Sequence, residues 1–272
     1  DTLGTSVPRL DYGFCAEHGR TYEIRRCANC THLFAIVTAR DLWKNYQDVV
    51  DVAYLDRAEE RALTFRKLVA RIRGFVPSGR LLDIGCATDD FLDAARAHFD
   101  VEGVELSKWS SQIAIGRGFR VHTAGLGSIQ GEGLYDVATL WGVIGLFEHV
   151  DEEVARITRL LRPGGVVCIW TGDMDSWLAK ALGRRYWYVM GQYLQLFTKR
   201  SLCTLFERHG YERRWMGTYP FTSNFRLIGN SLGRYRVMGT AAKALLHHTP
   251  LSRMGITLLL PGEMFAVFRK AG

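Results

Sequence analysis

The sequence predicts an α/β protein with a doubly wound, mostly parallel seven-stranded sheet, a small hairpin-rich module before it and a helical insertion near its C-terminal end. Three observations carry that prediction. Between Arg80 and Thr171 short apolar runs alternate with amphipathic stretches of about ten residues, the rhythm of βαβ units. A glycine-containing turn follows the first run at once and opens a helical stretch, Leu81-Leu-Asp-Ile-Gly85-Cys-Ala-Thr-Asp-Asp-Phe-Leu92. The chain of 272 residues is long enough for one large domain with appendages.

Residues 1–50 are rich in Cys, His, Asn and aromatic residues in short segments without a helical period. From Asp51 to Phe75, Val52, Leu55, Ala62, Phe65, Leu68, Val69 and Ile72 recur at three- and four-residue steps, which predicts one amphipathic helix ended by Pro77-Ser-Gly79. Strands are expected at 80–84, 101–106, 120–123, 135–141 and 165–171, and helices at 91–99, 108–116 and 151–161. An aromatic-rich segment, 177–197, precedes a helix at 199–209 in which Ser201 would be the N-cap and Gly210 the C′ residue. Strands at 211–218 and 263–270 complete the set, the second alternating Met264/Ala266/Phe268 with Phe265/Val267/Arg269. The predicted division is a module at 1–50 and a main domain at 51–272, with its core at 80–172, a cap at 173–262 and the final strand at 263–270.

Of the formal charge of +7, the segment from Lys199 onward holds 12 Lys/Arg against 3 Asp/Glu, so the excess is C-terminal. Such a segment favours anionic partners: phosphorylated small molecules, nucleotide sugars, acidic headgroups or nucleic acid. The insertion at 224–261 holds Arg226, Arg234, Arg236, Lys243 and Arg253 beside Leu245, Leu246, Leu251, Ile256 and Leu258 to Leu260. It suits a lid over an anionic acceptor, or peripheral membrane contact. No uninterrupted apolar run of eighteen residues and no leader is visible, and the six scattered cysteines suit a reducing, cytoplasmic setting.

The turn Asp83-Ile-Gly85-Cys-Ala87-Thr88-Asp89 and the carboxylate of Glu105, at the end of the next strand, together suit a nucleotide. Backbone N–H groups face its polar portion, and the acid accepts from ribose hydroxyls. With Tyr135-Asp-Val137 and Leu160-Leu-Arg-Pro-Gly-Gly165, these segments resemble the class I S-adenosylmethionine-dependent methyltransferases, whose fold is Rossmann-like. Cys27-Ala-Asn-Cys30, Gly183-Arg-Arg-Tyr-Trp187, Phe197-Thr-Lys-Arg-Ser-Leu202 and Gly262-Glu-Met264 extend the likeness to bacterial members with an N-terminal zinc ribbon.

The resemblance implies S-adenosylmethionine as cofactor, bound by Asp83, Gly85, Cys86, Ala87, Thr88 and Glu105, with Leu106 and Leu126 flanking adenine. Trp141 would face the sulfonium, a position that suits an aromatic ring. It further implies an O-methyltransferase acting on a sugar or small natural product. Two departures keep a non-catalytic scaffold or regulatory partner as the alternative. Asp89 stands where the family has glycine, with its carboxylate free to meet the cofactor or cap the next helix. The pair Glu148-His149, whose imidazole suits a general base, falls about three residues late relative to Pro163, so that Gly145-Leu146 takes the usual place.

Cys27-x-x-Cys30 is half of a tetrahedral zinc site, which Cys15 and His18 would complete with a purely structural role; a metal-free ribbon is the other reading. Trp177, Tyr186, Trp187, Tyr188, Tyr193 and Phe197 suit an acceptor wall or plain core, and Asp173 and Asp175 are further candidate bases.

Overall fold

A computed structural model describes residues 19–37, 42–224 and 255–272, with residues 2, 3, 6, 8, 10 and 12 before them. The chain opens with a hairpin, β1 (Glu23–Arg26) and β2 (Leu33–Ile36), then three helices, α1 (Leu42–Gln47), α2 (Val52–Leu55) and α3 (Ala58–Arg73). The alternating part follows: β3 (Gly79–Ile84), α4 (Asp90–Ala95), β4 (Phe99–Val104), α5 (Lys108–Gly116), β5 (Arg120–His122), β6 (Tyr135–Trp141), α6 (Val150–Leu160) and β7 (Leu161–Gly172). After α7 (Trp177–Leu182), β8 (Gln195–Leu196) and α8 (Lys199–Arg208) come two long strands, β9 (Tyr211–Asn224) and β10 (Gly255–Lys270).

The main sheet has seven strands in the order β5-β4-β3-β6-β7-β10-β9. From β5 to β7 the pairing is parallel, while β10 lies between β7 and β9 antiparallel to both. The strand order reverses beside β3, so its carboxyl end faces the crevice where such sheets take ligands. A second sheet, β1-β2-β8, ties the N-terminal hairpin to Gln195 and Leu196.

Strand alternation sorts the core into two layers. Leu81, Val137, Val166, Phe265 and Val267 pack with Phe65, Leu68, Val69 and Ile72 of α3. Leu82, Ala138, Leu140, Val167, Met264, Ala266 and Phe268 pack with α6 and α8 on the other face. The expected alternation of the final strand is therefore observed. Leu68 and Ile72 are fully buried, and each stabilises the fold by roughly 1.5–3 kcal/mol.

Several boundaries differ from expectation. The single helix over 51–75 is two, because Asp51 caps α2 by accepting from Tyr54 N and the chain breaks at Asp56 and Arg57 before α3. The N-cap of α8 is Thr198, with Ser201 as the reciprocal partner in a capping box; Gly210 takes the predicted left-handed position. β7 starts before the Pro-Gly-Gly turn, which forms an irregularity in its pairing with β6. The final strand begins at Gly255, and residues 225–254 of the basic insertion lie outside the described residues, as do Cys15 and His18. Among the described residues no helix is long and apolar enough to cross a membrane.

Candidate functional site

The site begins at the end of β3. Asp83 is buried and accepts a hydrogen bond from Thr139 Oγ1 of β6 at 2.6 Å, and burial pushes its carboxyl up to about 7. The chain then turns sharply: Gly85 N and Cys86 N both donate to Val104 O, at 2.7 and 3.1 Å. Gly85 has φ +75°, and a Cβ there would lie 2.4 Å from Val143 Cγ2, so no other residue fits without displacement. Ala87 and Asp89 also take positive φ, 49° and 96°. The backbone thus keeps a glycine-like path through side chains that disfavour it, at a cost on the order of 1 kcal/mol each.

Asp89 stands at the N-cap position of α4, but its side chain makes no capping bond. Its carboxylate pairs with Arg117 Nη1 at 2.6 Å, and Arg117 also donates to Thr88 O at 3.3 Å. Burial raises the Asp89 carboxyl to about 6 against the opposing pull of Arg117. Cys86 contributes backbone alone, since its thiol is buried against Leu92 and Phe119, over Gly103. Thr88 Oγ1 is buried with no hydrogen-bond partner among the described residues.

Glu105 closes the turn from the side. One carboxylate oxygen accepts from Ala87 N at 2.9 Å; the other accepts from Ser107 N at 2.8 Å and from the Tyr12 hydroxyl at 3.1 Å. Tyr12 packs on Tyr54 with ring centroids 5.1 Å apart and the rings tilted by 50°, and its backbone N donates to Asp51 at 3.1 Å. Arg61 lies over the Tyr54 ring at 3.5 Å and pairs with Asp90 at 2.6 Å. These residues were missed because their segments carry no motif. Leu106 lies beside Gly125, while Leu126 is buried in the core.

Trp141 ends β6 and packs against Phe91, Phe65 and Phe265, at 4.8, 6.0 and 6.0 Å, with its Nε1 buried and unbonded among the described residues. Glu148 and His149 do not join this group. The His149 ring is exposed at the N-terminus of α6 without a side-chain hydrogen bond among the described residues, and Glu148 is half-buried, its carbonyl held by Gln195 Nε2 at 3.2 Å. The place before them is filled by packing: a Cβ at Gly145 would lie 2.8 Å from Tyr193 Cδ1.

On the other side of the same sheet edge, Asp173, Ser176, Lys199, Thr218, Gly262 and Glu263 line an open pocket of about 500 Å³. Glu263 is buried and accepts from Trp170 Nε1, Trp187 Nε1 and the Tyr188 hydroxyl at 2.6, 2.6 and 2.8 Å. The sequence marked Gly262-Glu-Met264 as a motif but gave Glu263 no role, because its three partners lie about 75 to 93 residues upstream. Of the expected aromatic wall, Tyr186, Tyr188, Tyr193 and Phe197 are buried core and Trp177 is exposed. Asp173 pairs with Lys199 at 3.5 Å, and Asp175 with Arg26 and Lys180 at 3.5 and 3.6 Å.

In the hairpin, Cys27 N donates to His32 O at 2.7 Å, closing a knuckle that brings the two thiols together. Hydrogen bonds from the Cys30 and Asn29 backbone and the Cys30 thiol lower the Cys27 pKa. His32 is committed elsewhere, through Nε2 to Gln195 Oε1 at 2.8 Å. Among the described residues no three His, Cys, Asp or Glu side chains converge on a metal position.

The sequence profile of a family described as "Methyltransferase domain" matches residues 57–214, more than half of the chain. The chain belongs to this methyltransferase family. An uncharacterized protein of Methanocaldococcus jannaschii is 28% identical over 129 residues, 45% of this chain and 58% of that relative, so the match spans little more than half the relative's length. Among solved structures, an S-adenosylmethionine-dependent methyltransferase of Archaeoglobus fulgidus superposes with a TM-score of 0.56 at 16% identity, covering 81% of this chain and all of the other. Another from Thermotoga maritima gives 0.54 at 16% identity, over 81% and 93%. The fold of this methyltransferase is thus the Rossmann-like one expected of the class.

Proposed function

We propose that the protein transfers a methyl group from S-adenosylmethionine to a small-molecule acceptor, with an oxygen of a sugar or natural product as the receiving atom. The observation that carries this reading is the Tyr12 hydroxyl on Glu105. A hydroxyl donor already sits 3.1 Å from the carboxylate that a ribose would engage, and the same carboxylate is fixed by Ala87 N and Ser107 N. A ribose hydroxyl would replace a phenolic one, donor for donor. Thr88 Oγ1, buried and unbonded among the described residues, supplies a further polar contact.

When bound, the cofactor supplies an electrophilic methyl group on sulfur. The chain's residues then hold the acceptor in line with that methyl group and keep water out. Trp141 and its aromatic neighbours form an apolar flank at the end of β6. Because the His149 ring is exposed, Asp173 on the pocket edge is the better placed base; it is buried and pairs with Lys199 at 3.5 Å. The alternative of a non-catalytic scaffold or regulatory partner was motivated by Asp89 and by the displaced Glu148-His149 pair; the Asp89–Arg117 pair answers the first motive, and the exposed His149 leaves the second standing.

In this reading Cys15, His18, Cys27 and Cys30 hold a structural zinc ion, which the thiolate-favouring knuckle at Cys27 supports. The module at 1–50 is joined to the transfer domain at 51–272 through the β1-β2-β8 sheet and Tyr12, and five free thiols among the described residues suit a reducing compartment. Incubation with methyl-labelled S-adenosylmethionine and a panel of sugars tests the proposal. Label transfer with release of S-adenosylhomocysteine is expected, and absence of turnover with every hydroxylated acceptor would remove the oxygen assignment.

A further inference from the structure

Glu263 lies at the amino end of the inner part of β10, opposite Gly172 of β7, and lines the 500 Å³ pocket. It is 6% exposed, yet no lysine, arginine or histidine among the described residues pairs with it. Its three partners, Trp170, Trp187 and Tyr188, are neutral donors. Carboxylates buried to this degree are ordinarily paired with a cation, because neutral hydrogen bonds only partly replace lost hydration.

The pocket's own cations are committed elsewhere. Lys199 pairs with Asp173 at 3.5 Å, and Arg200 Nη2 donates to Asn29 O at 2.8 Å. Geometry leaves room for a ligand at the carboxylate: Oε2 takes two donors, whereas Oε1 takes one and keeps a free acceptor direction. Trp170 stacks on Tyr219 at 4.4 Å and Trp187 packs on Tyr186 at 4.7 Å, which fixes the two indole N–H groups that meet the carboxylate.

We propose that Glu263 and its indole and phenol partners form a recognition site for a protonated amine on the acceptor, of the kind an amino sugar or alkanolamine carries. The proposal deepens the methyltransferase reading, on which it rests for the identity of the occupant as acceptor. Burial raises the Glu263 carboxyl; an ammonium at the free acceptor direction would hold it as the carboxylate, whereas a neutral hydroxyl would not. An ammonium has no lone pair, so the group held at Glu263 is an anchor, and the methyl-accepting atom is a different one on the same molecule. Glu263 is accordingly a positioning and specificity residue.

The test follows the indole N–H resonances of protein carrying ¹⁵N-labelled tryptophan, with Trp170 and Trp187 assigned from their Phe variants. The full chain is titrated at constant ionic strength with D-glucosamine and ethanolamine, and with their neutral counterparts D-glucose and ethylene glycol. Shifts of the Trp170 and Trp187 signals are expected with the amines, with Kd at least tenfold lower than for the neutral partners. Glu263→Gln should reduce that preference to less than twofold. Equal responses, no response to any of the four, or a preference that survives in Glu263→Gln would overturn the proposal. If Glu263→Gln does not fold, Glu263→Asp replaces it, and the wild-type contrast between charged and neutral probes still decides. Binding of S-adenosylhomocysteine, measured in parallel, separates the two levels: its presence without amine preference sinks this inference alone, and its absence sinks the cofactor reading.

Discussion

The turn after β3 and the pocket around Glu263 lie on one edge of one sheet, yet they handle buried charge in opposite ways. At the turn, Glu105 receives backbone N–H groups from residues 2 and 18 positions away, and Asp89 is neutralised by Arg117. At the pocket, Glu263 is held by three side chains and by no cation among the described residues. A carboxylate fixed by nearby backbone is a rigid acceptor for any ligand with two hydroxyls. One fixed by distant side chains has a pocket that can change with substrate. In the proposed reading the turn serves the cofactor and the pocket serves the acceptor.

The largest effect expected on the turn is its response to pH. Asp83 is raised to about 7 in the fold, so the native state holds a proton that the unfolded chain has released above its ordinary value of about 4. That stabilising contribution is complete below pH 4 and is lost as pH rises through 7, on the order of 4 kcal/mol. Asp83→Asn should flatten this slope in urea denaturation from pH 4 to 8, and an unchanged slope would contradict the burial argument. Next, Glu105→Ala strips a partner from Ala87 N and Ser107 N, and should weaken S-adenosylhomocysteine binding at least 100-fold, or about 3 kcal/mol. A loss below fivefold would place the ribose elsewhere.

Arg117→Ala leaves the Asp89 carboxylate buried without its counter-charge. Stability should fall by about 2 kcal/mol at pH 8 and by less at pH 5, where Asp89 takes up a proton. An equal loss at both pH values would show that Arg117 acts by packing alone. Tyr12→Phe removes the donor that occupies Glu105 in the ligand-free fold, and should tighten S-adenosylhomocysteine roughly three- to tenfold in calorimetry. Weaker binding would mean that Tyr12 contacts the cofactor instead of yielding to it. Smallest of all, Ala87→Gly exchanges a positive-φ alanine for the residue that tolerates it, against a more flexible unfolded chain, and should raise stability by no more than about 1 kcal/mol in thermal denaturation.

What the sequence made legible follows from the range of the interactions. Strands β3 to β7 and the Glu105 carboxylate were readable because apolar periodicity and a turn-acid spacing are local patterns. The fate of Asp89 was not, since its partner Arg117 is 28 residues away and nothing local distinguishes a cap from an ion pair. Glu148-His149 was readable as a chemical pair, but the exposure of His149 was not, because the loop before it is shaped by Tyr193 against Gly145. Glu263 stood in a recognised motif, while its meaning depends on Trp170, Trp187 and Tyr188, which only the antiparallel return of β10 brings beside it.

The central claim is that the left-handed turn and Glu105 still form a working nucleoside site despite Ala87 and Asp89. Calorimetric titration of the full wild-type chain with S-adenosylhomocysteine tests it most directly. Saturable one-to-one binding at micromolar ligand is the predicted result, and no heat at millimolar ligand would contradict it.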